Sequence, residues 1–353
     1  HGPLSYDDIT AGGRGVTGSE QTMLALAEAQ AAAGHSVVVY LPTQSDRYQR
    51  GVYLVDIART WPRMRLADDA YAVISWLSAD NLRQLNPKTV RILSVQINDW
   101  LLSGSGYEKY VDAYVACSEA HARHLKRTIG GPPGGSSWYV IPNGVDCRRF
   151  DIVRPRQQYK CVYLSSPDRG LHWLLAMWPE IRFAYPQAEL HVFYEIDQWL
   201  KGTIRLNSEI GIRAKYIVEK KYKLEKHGVH VRGAVAPQEL ASELMSSDTV
   251  RFTEGFSCAL LDSCAAGVVP ITTDQDAVGE IYGSSGASVV PKGDDRKWTD
   301  RFLDEVLRLM GSRDEIESRR IKVREFSSQY DWPIIAGRWD SMLAVEAEKK
   351  CVS

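Results

Sequence analysis

Short β-branched or aromatic runs alternate with longer helical stretches along almost the whole chain, and that alternation restricts the fold more than any other feature. The loop Gly12-Gly13-Arg14-Gly15-Val16-Thr17-Gly18 leads into Ser19, a good helix N-cap, and an Ala/Leu-rich helical stretch that Gly34 closes. Val37-Val38-Val39-Tyr40 then reads as a buried strand. Similar runs recur at Ala72 to Trp76, Arg91 to Gln96, Ala113 to Cys117 and Trp138 to Ile141, with a helix predicted from Ser118 to Ile129. Strands separated by helices predict a parallel sheet covered on both faces.

The pattern restarts after a polar, charged stretch from Asp146 to Gln158, which holds Pro155 and four arginines. Strands are predicted at Cys161 to Leu164, Glu189 to Tyr194, Val229 to Arg232 and Val268 to Thr272. Helices are predicted at Leu171 to Tyr185, over a long charged region from Ile204 to His227, at Pro237 to Ser246 and around Ala259 to Ala266. Two terminal helices, Arg296 to Met310 and Pro333 to Lys350, are joined through Arg313 to Trp332. The fold class is therefore α/β, with two Rossmann-like doubly wound domains in tandem. Expected boundaries are 1–150, 151–332 and a final helical segment, 333–353.

Composition narrows the partners. The chain has 353 residues, 43 Lys plus Arg against 44 Asp plus Glu and a formal charge of −1, so it lacks the broad basic footprint that wraps a nucleic-acid duplex. No nucleic-acid partner is expected. No run approaches the roughly 18 apolar residues of a spanning helix, and no signal-peptide core leads the sequence. A soluble, cytoplasmic protein is the expectation. The six cysteines form no CxxC pair or Cys/His cluster with ligand spacing, so reduced thiols are expected and no metal.

Two segments suit an anion. A glycine-rich turn before a helix brings free N–H groups and the positive end of the helix dipole to a ligand, which favours phosphate, and Gly12 to Gly18 fits this. It matches neither GxGxxG with a distal acid nor GxxxxGK[ST], which argues against a nicotinamide dehydrogenase and a P-loop NTPase. The second segment is Glu254-Gly255-Phe256-Ser257-Cys258-Ala259-Leu260-Leu261-Asp262, where Gly255 to Cys258 precede or open a helix between two acids.

Glu254 to Asp262 resembles the E-x7-E element of the retaining GT-B glycosyltransferases of group 1 (glycosyltransferase family four), with Asp in place of the second Glu. The resemblance continues in Ala31 to Val39, in Ile141-Pro142-Asn143-Gly144-Val145-Asp146 with Phe150, in Ser165-Ser166-Pro167-Asp168-Arg169-Gly170-Leu171 and in Trp178-Pro179. Val229 to Gly233, Gln238-Glu239-Leu240 and Ala266-Gly267-Val268-Val269-Pro270 complete it. Their shared order and spacing carry the resemblance.

The resemblance implies a nucleotide-diphosphate sugar, UDP- or GDP-linked, held in a cleft between two facing domains and mainly on the C-terminal one. A hexose or N-acetylhexosamine passes with retention to a glycan, lipid-linked or protein acceptor on the N-terminal domain. It implies no cofactor and no metal, since fixed donors neutralise the leaving diphosphate. Arg169 takes the place of the basic residue that grips the diphosphate, with Ser165 and Ser166 beside it. Leu164 stands where many relatives carry a second Arg. Gly255, Phe256, Ser257 and Cys258 would add backbone N–H groups. The Gly15, Val16, Thr17, Gly18 loop would close over the phosphates. Asp262 would accept from the ribose hydroxyls and Glu254 would touch the transferred sugar. Asn98 or Asp99 occupies the region where relatives carry a histidine near the sugar, with capping of a turn by Asp99 as the other reading. The helix from Pro333 is expected to return to the N-terminal domain.

Within the same fold, a nucleotide-sugar epimerase and a donor-binding pseudoenzyme are the alternatives. His121 and His124, three apart on a helix without a third ligand, are expected to pack and not to bind metal. Lys215, Lys220, Lys221, Lys223 and Lys226 make a basic helix read as a solvated face, though an anionic-lipid acceptor and peripheral membrane contact would suit it. Arg148 and Arg149 are expected to face solvent, and the oligomeric state is not legible.

Overall fold

A computed structural model of the chain describes residues 18–43, 45–57, 70–97, 108–129, 136–206, 208–251, 258–293 and 297–352. Beyond the first fifteen residues, the chain divides into two compact units, Val16–Gly144 with Tyr330–Ser353, and Val145–Gln329.

The first unit runs α1 (Gly18–Ala32), β1 (Val37–Leu41), β2 (Arg47–Gln49), β3 (Val52–Asp56), β4 (Ala72–Trp76), β5 (Val90–Ser94), β6 (Ala113–Ala116), α2 (Glu119–Ile129) and β7 (Ser137–Val140). Strands β4-β5-β6-β7 form a parallel sheet in chain order. Where the alternation predicts one parallel sheet, the described residues hold a second, three-stranded one, β1-β3-β2, with β2 antiparallel to β3. The hairpin was missed because its turn is Arg50-Gly51, both at positive φ, and not a recognised Asn-Gly or Asp-Gly pair.

The second unit runs β8 (Lys160–Tyr163), α3 (Leu171–Ala184), β9 (Glu189–Val192), α4 (Ile196–Thr203), α5 (Glu209–Leu224), β10 (Val229–Val231), α6 (Pro237–Met245), β11 (Thr249–Arg251), α7 (Cys258–Ala265), β12 (Val269–Thr273), α8 (Val278–Tyr282), β13 (Ser288–Val290), α9 (Trp298–Met310) and α10 (Arg313–Ser328). Its six strands are all parallel, in the order β10-β9-β8-β11-β12-β13. Odd-numbered residues of β8 and even-numbered residues of β9 point into one core with α3, α5 and α9, as the two-residue side-chain period requires. Trp178 is fully buried there, and its indole N–H donates to His227 O at 2.8 Å. Of the charged region 204–227 predicted as helical, α5 covers Glu209–Leu224, capped by the hydroxyl of Ser208, and a 3-10 turn, Glu225–His227, follows it. The predicted connection 313–332 is largely α10, a polar helix whose sparse apolar positions hid its period.

The chain returns to the first unit in α11 (Trp332–Val352). Trp332, Ile335, Ala336, Trp339, Met342 and Leu343 recur at helical spacing and pack on Leu26, Val90, Ile92, Ala113, Val115 and Ile141. Pro333 lies in the first turn, where its missing N–H costs nothing, and the Asp331 carboxylate accepts from Trp332 N–H at 3.1 Å. Gly144 is set by this helix: a Cβ there would lie 2.6 Å from the Trp332 ring.

Candidate functional site

The second unit's strand order places a topological switch between β8 and β11. From β8 the chain proceeds outward to β9 and β10, then crosses back to β11 and proceeds the other way. Loops leaving neighbouring strands in opposite directions open a crevice at their carboxyl ends, where ligands of such sheets bind. The loop after β8 carries Ser165, Ser166 and Arg169, and the segment after β11 leads to Cys258 and Asp262 on α7.

The first loop is tightly organised. Tyr163 OH donates to Ser166 O at 2.8 Å, Arg169 N–H donates to the same carbonyl at 2.9 Å, and the Ser166 hydroxyl bonds the Asp168 carboxylate. Gly170 ends the loop at φ 100°, in the left-handed region that a side chain would strain, and α3 begins at the next residue. Arg169 remains 44% exposed, with Asp168 Oδ2 3.8 Å from its Nε, so its guanidinium is held near the loop and open to an anion.

Leu164, standing where many relatives carry a second Arg, implies fewer cations at this loop. Arg213, on α5, supplies another: its Nη1 donates to Asp168 O at 3.2 Å while Nη2 pairs with Glu209. His172 lies in the first turn of α3, with Nδ1 buried and unpartnered among the described residues. Burial, and then the nearby Arg213 and Lys292 charges, push its pKa down to about 4, so the ring is neutral at pH 7. Neither residue was found from the sequence. Arg213 is separated from the loop by 44 positions, and nothing in a local pattern brings α5 to it.

Asp262 is on the second turn of α7, as its spacing from Cys258 implies. Arg149, expected to face solvent, is instead largely buried, with Nη1 3.6 Å from Asp262 Oδ1 and Nη2 donating to Pro237 O at 3.3 Å. The correction has a plain cause: residues Cys147–Phe150 form a single 3-10 turn that buries Phe150 and carries Arg149 inward, leaving Arg148 82% exposed. Burial raises the Asp262 carboxyl above the usual range, and the Arg149 charge opposes the shift. Arg149 Nε is buried without a hydrogen-bond partner among the described residues.

Gly18, from the glycine-rich loop, opens α1 in the first unit and accepts from the Thr22 hydroxyl at 2.7 Å. Gly15, Val16, Thr17, Asn98, Asp99, Glu254, Gly255, Phe256 and Ser257 lie outside the described residues. His121 is buried in structural contacts, with Nδ1 accepting from Cys117 N–H at 3.2 Å and Nε2 3.3 Å from Ile97 O. On the basic helix, Lys221 pairs with Asp197 and Lys223 with Glu219. Among the described residues no helix is long and apolar enough to cross a membrane.

Residues 160–310 match the family described as Glycosyl transferases group 1. Similar solved structures include sucrose-phosphate synthase from Thermosynechococcus elongatus, at 15% identity and TM-score 0.72, with 96% of each chain covered. A glycosyltransferase from Rickettsia africae matches at 11% identity and TM-score 0.68, covering 94% of this chain and 96% of that one. Anabaena HepE, solved with UDP and glucose, matches at 12% identity and TM-score 0.66, covering 93% and 96%. These likenesses show the GT-B fold. The group 1 match within the second unit, on that fold, indicates a glycosyltransferase. Among curated protein sequences, none matches this chain.

Proposed function

We propose that the chain is a retaining glycosyltransferase that moves a hexose or N-acetylhexosamine from a UDP- or GDP-linked sugar to a glycan, lipid-linked or protein acceptor, without a metal ion. The observation that carries this reading is the switch-point loop of the second unit, where Arg169 and Arg213 flank the Ser166–Asp168 turn, in the segment that matches group 1. The solved complex of HepE with UDP and glucose supports the nucleotide-sugar class.

The chemistry suits these groups. Breaking a glycosyl–phosphate bond through an oxocarbenium-like state leaves negative charge on the diphosphate, and fixed guanidinium and N–H donors stabilise it as it develops. Arg169 binds the diphosphate, with Ser165 and Ser166 beside it and the N–H groups of Gly255 to Cys258 as further donors. Asp262 accepts from the ribose hydroxyls. Glu254 orients the transferred sugar, and Asn98 or Asp99 is the candidate for a contact near the reacting carbon. With front-face attack, the departing phosphate takes the acceptor's proton, so no separate base is needed.

Thermal shifts with UDP, GDP, ADP and their sugars test the donor, because a ligand bound only by the folded state stabilises it by RT ln(1 + [L]/Kd). One nucleotide series is expected to stand out. Arg169→Ala is expected to cost about 2 kcal/mol of binding, roughly 30-fold in Kd, by removing a charge-assisted contact. An unchanged shift in that variant contradicts the assignment. Labelled nucleotide sugar without acceptor should release free sugar slowly; binding with no turnover would favour the pseudoenzyme.

A further inference from the structure

We propose that Glu189, His191 and His230 form a zinc-type divalent-metal site on the second unit's sheet, on the face opposite its main core. The proposal is independent of glycosyl transfer. It starts from register: Glu189 and His191 are two apart on β9, so both side chains point to one face, and His230 on β10 pairs directly with His191. Leu190, Val192 and Val229 point the other way into the core. One carboxylate oxygen and one ring nitrogen from each histidine lie within 4.8 Å of one another. Bonds of about 2.0–2.2 Å to a shared ion need ligand atoms roughly 3.3 Å apart, a change that small side-chain rotations supply.

The present hydrogen bonds define how such an ion would enter. Arg232 Nη1, which can only donate, lies 3.3 Å from His191 Nδ1, so Nδ1 accepts. The ring proton therefore sits on Nε2 and is donated to Glu189 Oε2 at 3.1 Å. An ion taking Nε2 and the Glu189 carboxylate moves that proton to Nδ1, a change of tautomer with no net loss, and turns Arg232 away. Arg232 has Glu243 Oε1 at 3.4 Å to retain as a partner. The other nearby cation, Lys160, is already bound to Glu243 at 2.6 Å and Ser246 at 2.8 Å. Gln157 donates to Glu189 Oε2 at 2.9 Å, a contact of the kind that orients a ligating carboxylate. Two imidazoles and a carboxylate with a fourth position for water are a set that zinc takes, and two strands would be cross-linked by it.

Calorimetric titration of the full chain with Zn²⁺, in parallel with Co²⁺ absorption, tests this. The expected result is one equivalent bound, a tetrahedral Co²⁺ spectrum and a rise in melting temperature with zinc. His230→Ala is expected to weaken binding by at least the about 10-fold that loss of even an outer-shell partner costs. Glu189→Gln, which keeps the side chain's size and a partner for Gln157, guards against a variant that fails to fold. Arg232→Gln should bind zinc more tightly. The proposal is overturned by no zinc binding at micromolar concentration, or by binding that survives both ligand variants and is lost on alkylating the cysteines.

Discussion

Asp262 pairs with Arg149, and the proposed donor role asks the same carboxylate for a second partner. Its pairing with Arg149 keeps a buried guanidinium neutralised, and the proposed donor role requires a lone pair for a ribose hydroxyl. A carboxylate has about four acceptor sites, so both are compatible. Asp262→Asn is expected to destabilise the second unit by about 1–3 kcal/mol, since Arg149 loses its anion. If the ribose contact exists, the variant also weakens UDP or GDP, and removing the ribose hydroxyls from the ligand then costs little more. That non-additivity, measured as a mutation-by-ligand cycle, separates the ribose contact from a merely structural pair.

His172 makes a second prediction at the same scale. Its folded-state pKa of about 4 lies below the ordinary 6.5, so between those values the unfolded chain binds the extra proton. Stability contributed by the neutral ring is therefore present above pH 6.5 and is lost as pH falls towards 4. A His172→Gln variant should show a flatter melting-temperature profile across that window; an identical slope would show that the ring does not titrate this way.

At the scale of elements, the second unit is tied by a buried charge cluster. The Asp248 carboxylate accepts from Tyr159 N–H at 2.8 Å, from Arg313 at 2.8 and 2.9 Å and from Arg320 at 2.5 Å, joining the start of β8 and the end of the α6–β11 turn to α10. Arg156 donates beside it to Leu244 O, Ser247 O and Ala266 O. Removing one member of such a buried set leaves charge uncompensated, so Asp248→Ala is expected to cost about 3–5 kcal/mol in denaturant unfolding of the second unit. None of this was legible in the sequence, because Asp248 lies 65 to 89 residues from Arg313, Arg320 and Tyr159 and no local period links them. Gly144 is the contrary case. It stood in a recognisable Ile-Pro-Asn-Gly-Val stretch, but the reason for glycine, the Trp332 ring against its Cα, needs the helix from the far end of the chain.

Across the whole molecule, alternation of apolar runs predicted most of the longer parallel strands, because buried strands leave a local signature in composition. Strands β8 to β10 and β12 lie within about two residues of their predicted spans, whereas β2, β3, β11 and β13 were missed, three of the four being three residues long. Residue order along the chain could not show which segments share a core, and that has a consequence for how the units fold. Among the described residues, those of the second unit's main core run from Tyr159 to Ile316, within one continuous stretch. In the core that joins α1, the parallel sheet and α11, the final helix supplies six of the twelve buried residues among those described. Each large side chain among these is worth about 1.5–3 kcal/mol on burial, a sum comparable to a domain's total stability. Residues 145–329 expressed alone are therefore expected to unfold cooperatively and to keep nucleotide binding. A chain ending at Gln329 should retain that transition while its first unit exposes apolar surface, detected by dye binding and loss of the near-ultraviolet signal of its tryptophans. Cooperative folding of the first unit without α11 would show that the helix only decorates that core.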